Sequence, residues 1–164
     1  MFDMILFIPF IVQAIAIGFD EIHFHLKRGL PRWERIGHPL DTLSVLICLL
    51  FLLFIPFSTS MAKIYAGLAL FSCLMVTKDE FIHKHHCPPL EHWVHALLFI
   101  NHPIMLVSGG LMWAAVGDGP DWLLSYVHSP GLFPYFLGIQ ALFAGLFFLY
   151  QAIYWNFIWK PKPE

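Results

Sequence analysis

Five apolar runs, each near the length of a bilayer crossing, decide what this chain can fold into. A spanning helix takes about 20 mostly apolar residues. The runs cover roughly Phe2 to Phe19, Ile36 to Phe57, Ile64 to Thr77, Pro88 to Val116 and Phe133 to Trp159. Of the 164 residues, 59% are hydrophobic and only 12% are charged, whereas soluble domains are nearer half apolar and a quarter charged. The sequence therefore predicts an all-α membrane protein of about five transmembrane helices: a four-helix bundle of two repeated helical hairpins plus a fifth helix. One integral membrane domain covers 1–164, with repeat one at about 1–60 and repeat two at about 61–116. An outer loop follows at 117–132 and the fifth helix at 133–159. The opening MFDMILFIPF has neither the basic region nor the small-residue cleavage site of a signal peptide and reads as a retained first span. Cys48, Cys73 and Cys87 are too irregularly spaced for a disulfide framework.

The polar residues are segregated between these runs. Lys27, Arg28, Arg32 and Arg35 lie in the first turn, Lys78 and Lys84 in the second, and Lys160 and Lys162 in the tail, with Lys63 opposite. With five spans those three regions share one face, and the bias of basic residues makes it cytoplasmic. The N-terminus is then outside and the C-terminus inside. Trp33, Trp93, Trp155 and Trp159 are expected to mark the inner boundary, and Trp113 and Trp122 the outer one.

The two cytoplasmic turns repeat one pattern. Asp20, His23 and His25 match Glu80, His83 and His85 as acid-x-x-His-x-His. Then Pro31, Glu34 and His38 match Pro88, Glu91 and His95 as Pro-x-x-Glu-x-x-x-His. Residues three or four apart on an α-helix share a face, so Asp20 with His23, Glu34 with His38, Glu80 with His83 and Glu91 with His95 should each project together. Ionisable residues at membrane depth are functional by default. These eight are the expected metal ligands. His25, His85, His86 and His92, taken singly, suit a solvated rim, while Glu21 and Asp79 have basic neighbours to pair with. Asp41 and His102 lie deeper, where they would relay protons, pair with each other or orient the ligands, a supporting role shared with His25 and His85.

Glu80-Phe-Ile-His83, and Asp20-Glu-Ile-His23 with Asp for Glu, resemble the Glu-x-x-His motif of ferritin-like di-iron and di-manganese carboxylate four-helix proteins. Glu34 and Glu91 stand where those proteins place single acids. The resemblance covers these motifs only, and His38 and His95 are additional to the pattern. His83-Lys84-His85-His86 also looks like a short histidine box of membrane desaturases and hydroxylases, with closer spacing.

The resemblance implies two metal ions, and charge agrees. Asp20, Glu34, Glu80 and Glu91 bring four negative charges, which two divalent ions neutralise in a low-dielectric site. Mixed carboxylate and imidazole ligands suit iron first, with zinc or manganese as alternatives. The expected function is a membrane-embedded di-iron oxidoreductase acting with O₂ on a lipid or other apolar substrate, at the cytoplasmic end of the bundle. Its partners would be membrane lipid and an electron donor; nucleic acid is not among them. The alternatives are a zinc-dependent membrane hydrolase and a non-enzymatic metal-binding or transport protein.

Overall fold

The structure, a computed structural model, describes residues 2–78, 88–117 and 119–160. It is all-α. Five helices are long and apolar enough to cross a membrane. Helix α1 covers Phe2–Asp20 and continues without a break through a π-helical turn, Glu21–His25, and a last α turn, Leu26–Arg28. Helix α2 is Arg32–Phe54, α3 is Thr59–Thr77, α4 is Pro89–Val116 and α5 is Phe133–Ile153, which ends in a second π-helical turn, Tyr154–Ile158. Between α4 and α5 lies a one-turn helix, Asp121–Leu124, whose Leu123 is fully buried.

Local chemistry sets the breaks. Gly29 has φ +76°, a left-handed conformation that side-chain-bearing residues avoid, and Trp159 packs so close that an added Cβ would lie 2.4 Å from its ring. Pro31 and Pro88 are the residues just before α2 and α4. Proline within a helix removes one N–H and leaves the carbonyl four residues back without its usual donor. Pro39 does this to Arg35, and the side-chain amide of Asn156 donates to that carbonyl at 3.1 Å.

Helix α1 packs mainly on α4, and α2 mainly on α5 and α3, with α3 also against α4. Apolar side chains alone give no driving force between helices in lipid, so close packing and interhelical hydrogen bonds carry the association. Each major seam has such a bond. Asn101 Nδ2 donates to the Pro9 carbonyl and to Gln13 Oε1, both at 2.8 Å, joining α4 to α1. Thr42 Oγ1 donates to Gln151 Oε1 at 2.7 Å, joining α2 to α5. Tyr65 Oη donates to the Leu106 carbonyl at 2.7 Å, joining α3 to α4. The Gly109-Gly110 pair serves close approach: a Cβ at Gly109 would meet Leu52 at 2.9 Å, and one at Gly110 would meet Tyr65 at 3.0 Å. The outward faces carry Ile8, Leu74, Val107 and Leu146, as a lipid-facing surface requires.

Two tryptophans depart from the expected boundary belt. Trp155 and Trp113 turn inward because each indole N–H has an acceptor there, the buried Glu21 Oε1 at 2.9 Å and the partly buried Ile55 carbonyl at 2.7 Å. Trp33, Trp93 and Trp122 are exposed.

Candidate metal centre

The turn from α1 toward α2 and the start of α4 meet at one end of the bundle. There Asp20, Glu21, His25, Glu34, Glu91 and His95 are all buried. Asp20, His25, Glu91 and His95 each place one ligand atom within 4.8 Å of the others, and His25, Glu34 and His38 do the same. This is a buried Asp/Glu/His cluster that can hold a metal, and His25 belongs to both groups.

The π-turn explains why His25 is there. Sequence spacing at 3.6 residues per turn pairs Asp20 with His23. In the structure the Leu26 N–H reaches back to the Glu21 carbonyl, five residues away, and this wider turn brings residues five apart onto one face. His25 Nε2 therefore lies 3.1 Å from Asp20 Oδ2 and 3.7 Å from Glu91 Oε1. His23 points outward instead. It is exposed, stacks on Phe19 with ring centroids 4.9 Å apart, and has Nδ1 3.3 Å from Lys27 Nζ. The structure thus places His25 in the cluster and His23 outside it.

Glu21 fixes the His25 ring. Its Oε2 lies 3.1 Å from His25 Nδ1, while Oε1 accepts from Tyr150 Oη at 2.8 Å and Trp155 Nε1 at 2.9 Å. A carboxylate on Nδ1 takes the N–H of the neutral ring and turns the Nε2 lone pair toward Asp20 and Glu91, as in the carboxylate–histidine pairs that support metal ions. The two anchors come from α5 and the π-turn that ends it.

Arg28 joins the two single acids. Its Nη2 donates to Glu34 Oε2 and to Glu91 Oε1, each at 2.7 Å. On the other side His95 Nε2 is 3.3 Å from Asp20 Oδ1. His38 is partly buried, with Nε2 3.9 Å from Glu34 Oε2 and its ring 4.8 Å from that of His25.

The donor set fits a metal on two counts. Glu91 Oε2 is buried and makes no hydrogen bond among the described residues, while Asp20 Oδ1 and His25 Nε2, also buried, have ion-pair contacts in place of well-formed hydrogen bonds. Such groups are costly to leave unsatisfied away from water. Charge gives the second. Asp20, Glu21, Glu34 and Glu91 are all buried here, and Arg28 bonds Glu34 and Glu91; negative charge gathered in this way is what a divalent ion would offset.

The rest of the expected set is distributed as follows. Glu80, His83 and His85 lie outside the described residues. Asp41 is paired with Lys78 Nζ rather than with His102. His102 is buried, and its Nε2 is 3.0 Å from Ser72 Oγ. Arg28 and Glu21, which spacing treated as a turn cation and an ambiguous neighbour, prove to be integral. Their signal was present only as charge at the foot of an apolar helix.

A cavity of about 540 Å³ opens beside the cluster, with Asp20, Glu21, His25, His38 and His95 at one end. The rest of its wall is largely apolar, from α1, α2, α4 and α5 with Val76 of α3. No family model matches this chain, and no similar protein was found among curated proteins or solved structures.

Proposed function

We propose that this protein is a membrane-embedded, metal-dependent oxidoreductase that uses O₂ to oxidise an apolar-chain substrate held in the cavity. The observation that carries the reading is the continuity between the cavity and the cluster: Asp20, His25 and His95 line a chamber whose remaining wall is mostly hydrocarbon. A metal ion bound only for structure has no use for such a chamber.

In this reading Asp20, His25, Glu91 and His95 hold one ion. Glu34 and His38, together with His25, form a second group of donors close enough to hold an ion. Carboxylate and imidazole donors favour iron over copper(I) or magnesium, with zinc or manganese able to occupy the same set. The metal supplies the oxygen chemistry when bound. The chain supplies the rest. Glu21 holds the His25 tautomer, Arg28 keeps Glu34 and Glu91 in place, and the cavity excludes water and presents the chain to the ligands. The basic residues around the first turn favour a cytoplasmic position for this end, where an electron donor could reach it.

The test is elemental analysis of protein purified in detergent, followed by oxygen uptake with a reductant and membrane lipid extract. The expected result is about one to two iron per chain, since the site as described binds up to two ions, with lipid-dependent oxygen consumption. Zinc with no oxygen dependence would move the reading to metal-assisted hydrolysis. Absence of any bound metal would overturn it.

A further inference from the structure

The cavity wall contains one polar arrangement that the metal reading leaves unused. His102 sits on α4 seven residues beyond His95, two turns or about 10 Å further along the helix. It lines the cavity and is 2% exposed. Its Nε2 is 3.0 Å from Ser72 Oγ on α3, which is 2.8 Å from Ser44 Oγ on α2, which donates to the Asp41 carbonyl at 2.7 Å.

Counting protons along this chain fixes the histidine. A carbonyl oxygen only accepts, and a hydroxyl has one proton to give. The proton of Ser44 goes to the Asp41 carbonyl, so Ser72 must donate to Ser44. Ser72 then has no proton left, so His102 must donate from Nε2. In the neutral ring this leaves Nδ1 as a bare acceptor, and Nδ1 is buried with no hydrogen bond among the described residues. Three helices thus hold one imidazole in one tautomer.

We infer that His102 Nδ1, closed to water in this conformation, is uncovered by a small shift of the wall to serve as the polar anchor of the cavity, and that its ligand is a long-chain lipid bearing a hydrogen-bond donor, a hydroxyl or an amide N–H, roughly two helical turns (about 10 Å) from the metal cluster. The chain enters sideways from the bilayer between α1 and α5. Ile15 and Phe143 line the cavity and are 67% and 63% exposed, and Gly18 has no atom within 4 Å of the place a Cβ would take. The wall from Phe10 to Glu21 on α1 runs about 16 Å at 1.5 Å per residue, long enough to hold an extended chain segment on either side of the anchor. That the ligand is also the substrate rests on the function proposed above; that it binds here does not.

The test therefore measures binding to the metal-free protein in detergent, with hexadecanol, hexadecanamide, hexadecyl methyl ether and hexadecane as probes. The ether keeps the shape and oxygen of the alcohol but has no proton to donate. The alcohol, the amide or both should bind about tenfold more tightly than the ether, the worth of one net hydrogen bond, and which of the two does so identifies the donor. In His102→Phe that preference should fall to about unity, while hexadecane binding persists and reports an intact cavity. ¹⁵N NMR of the wild-type imidazole should show the Nε2–H tautomer, and Ser72→Ala should release it. Equal binding of alcohol, amide and ether by the wild type, or an Nδ1–H tautomer, would overturn the inference. Because no turnover is needed, a protein that shows this preference but consumes no oxygen sinks the oxidase reading alone. Oxygen consumption without the preference sinks the anchor alone.

Discussion

Where Tyr65, Trp113 and Asp3 are buried, each polar group ends on a backbone partner: the Leu106 carbonyl, the Ile55 carbonyl and the His128 N–H at 3.1 Å. Around Glu21, Asp20 and Glu91, at the opposite end of the same helices, carboxylates and imidazoles face one another, and Glu91 Oε2 has no hydrogen bond among the described residues. Both ends bury polar atoms, each of which is costly to leave without a partner. The first end uses them as glue between helices. The second gathers them into a cluster that can hold a metal.

Glu91→Ala against Tyr65→Phe draws that contrast most sharply. Removing Glu91 takes a carboxylate from Arg28 and one donor from the cluster. Breaking a buried ion pair costs about 3–5 kcal/mol. Arg28 keeps Glu34 and its side chain is 24% exposed, so about 2 kcal/mol is expected here, together with loss of bound metal. Tyr65→Phe removes one hydroxyl whose acceptor carbonyl lies within a helix, at about 1 kcal/mol, and should leave metal content unchanged. Thermal melts with elemental analysis check both. If Tyr65→Phe also lost the metal, the two ends would not be separate in function.

Glu21→Gln tests the same contrast without removing a ligand. Glutamine keeps the size and can still accept from Tyr150 and Trp155, but it no longer sets the charge and tautomer of His25. Substitutions of this supporting kind lower metal affinity about 10–100-fold. Competition with a metallochromic chelator measures the loss, and an unchanged melt of the metal-free protein shows that the fold is intact. A variant with wild-type affinity would mean that His25 is oriented by packing alone.

Most of this architecture was legible in the chain. Apolar runs of spanning length specify helices because backbone groups in lipid must be satisfied internally, and the repeat around Glu34, His38, Glu91 and His95 marked where the polar ends meet. What spacing missed came from departures from ideal helical geometry. A π-turn inserts itself without a signature such as Pro or Gly in Glu21–His25, and it moved the histidine in the cluster from His23 to His25. Trp155 looks like any boundary tryptophan until Glu21 is found beneath it. Arg28 looks like a cytoplasmic charge until two acids far apart in sequence converge on it. These are tertiary facts, and no window of sequence contains them.

His23→Ala carries the smallest expected effect and isolates the geometric point. His23 and His25 are two residues apart, of one chemical type, and both belong to the repeated motif. An α-helical register would make His23 the partner of Asp20; the π-turn makes it an exposed ring stacked on Phe19. Exposed substitutions away from special features change stability by within about 0.5 kcal/mol, so His23→Ala should bind metal and melt as the wild type does. His25→Ala should lose the metal. The reverse ranking would mean that the metal-bound protein restores the α-register here, with Asp20 and His23 as the working pair and the π-turn confined to the metal-free state.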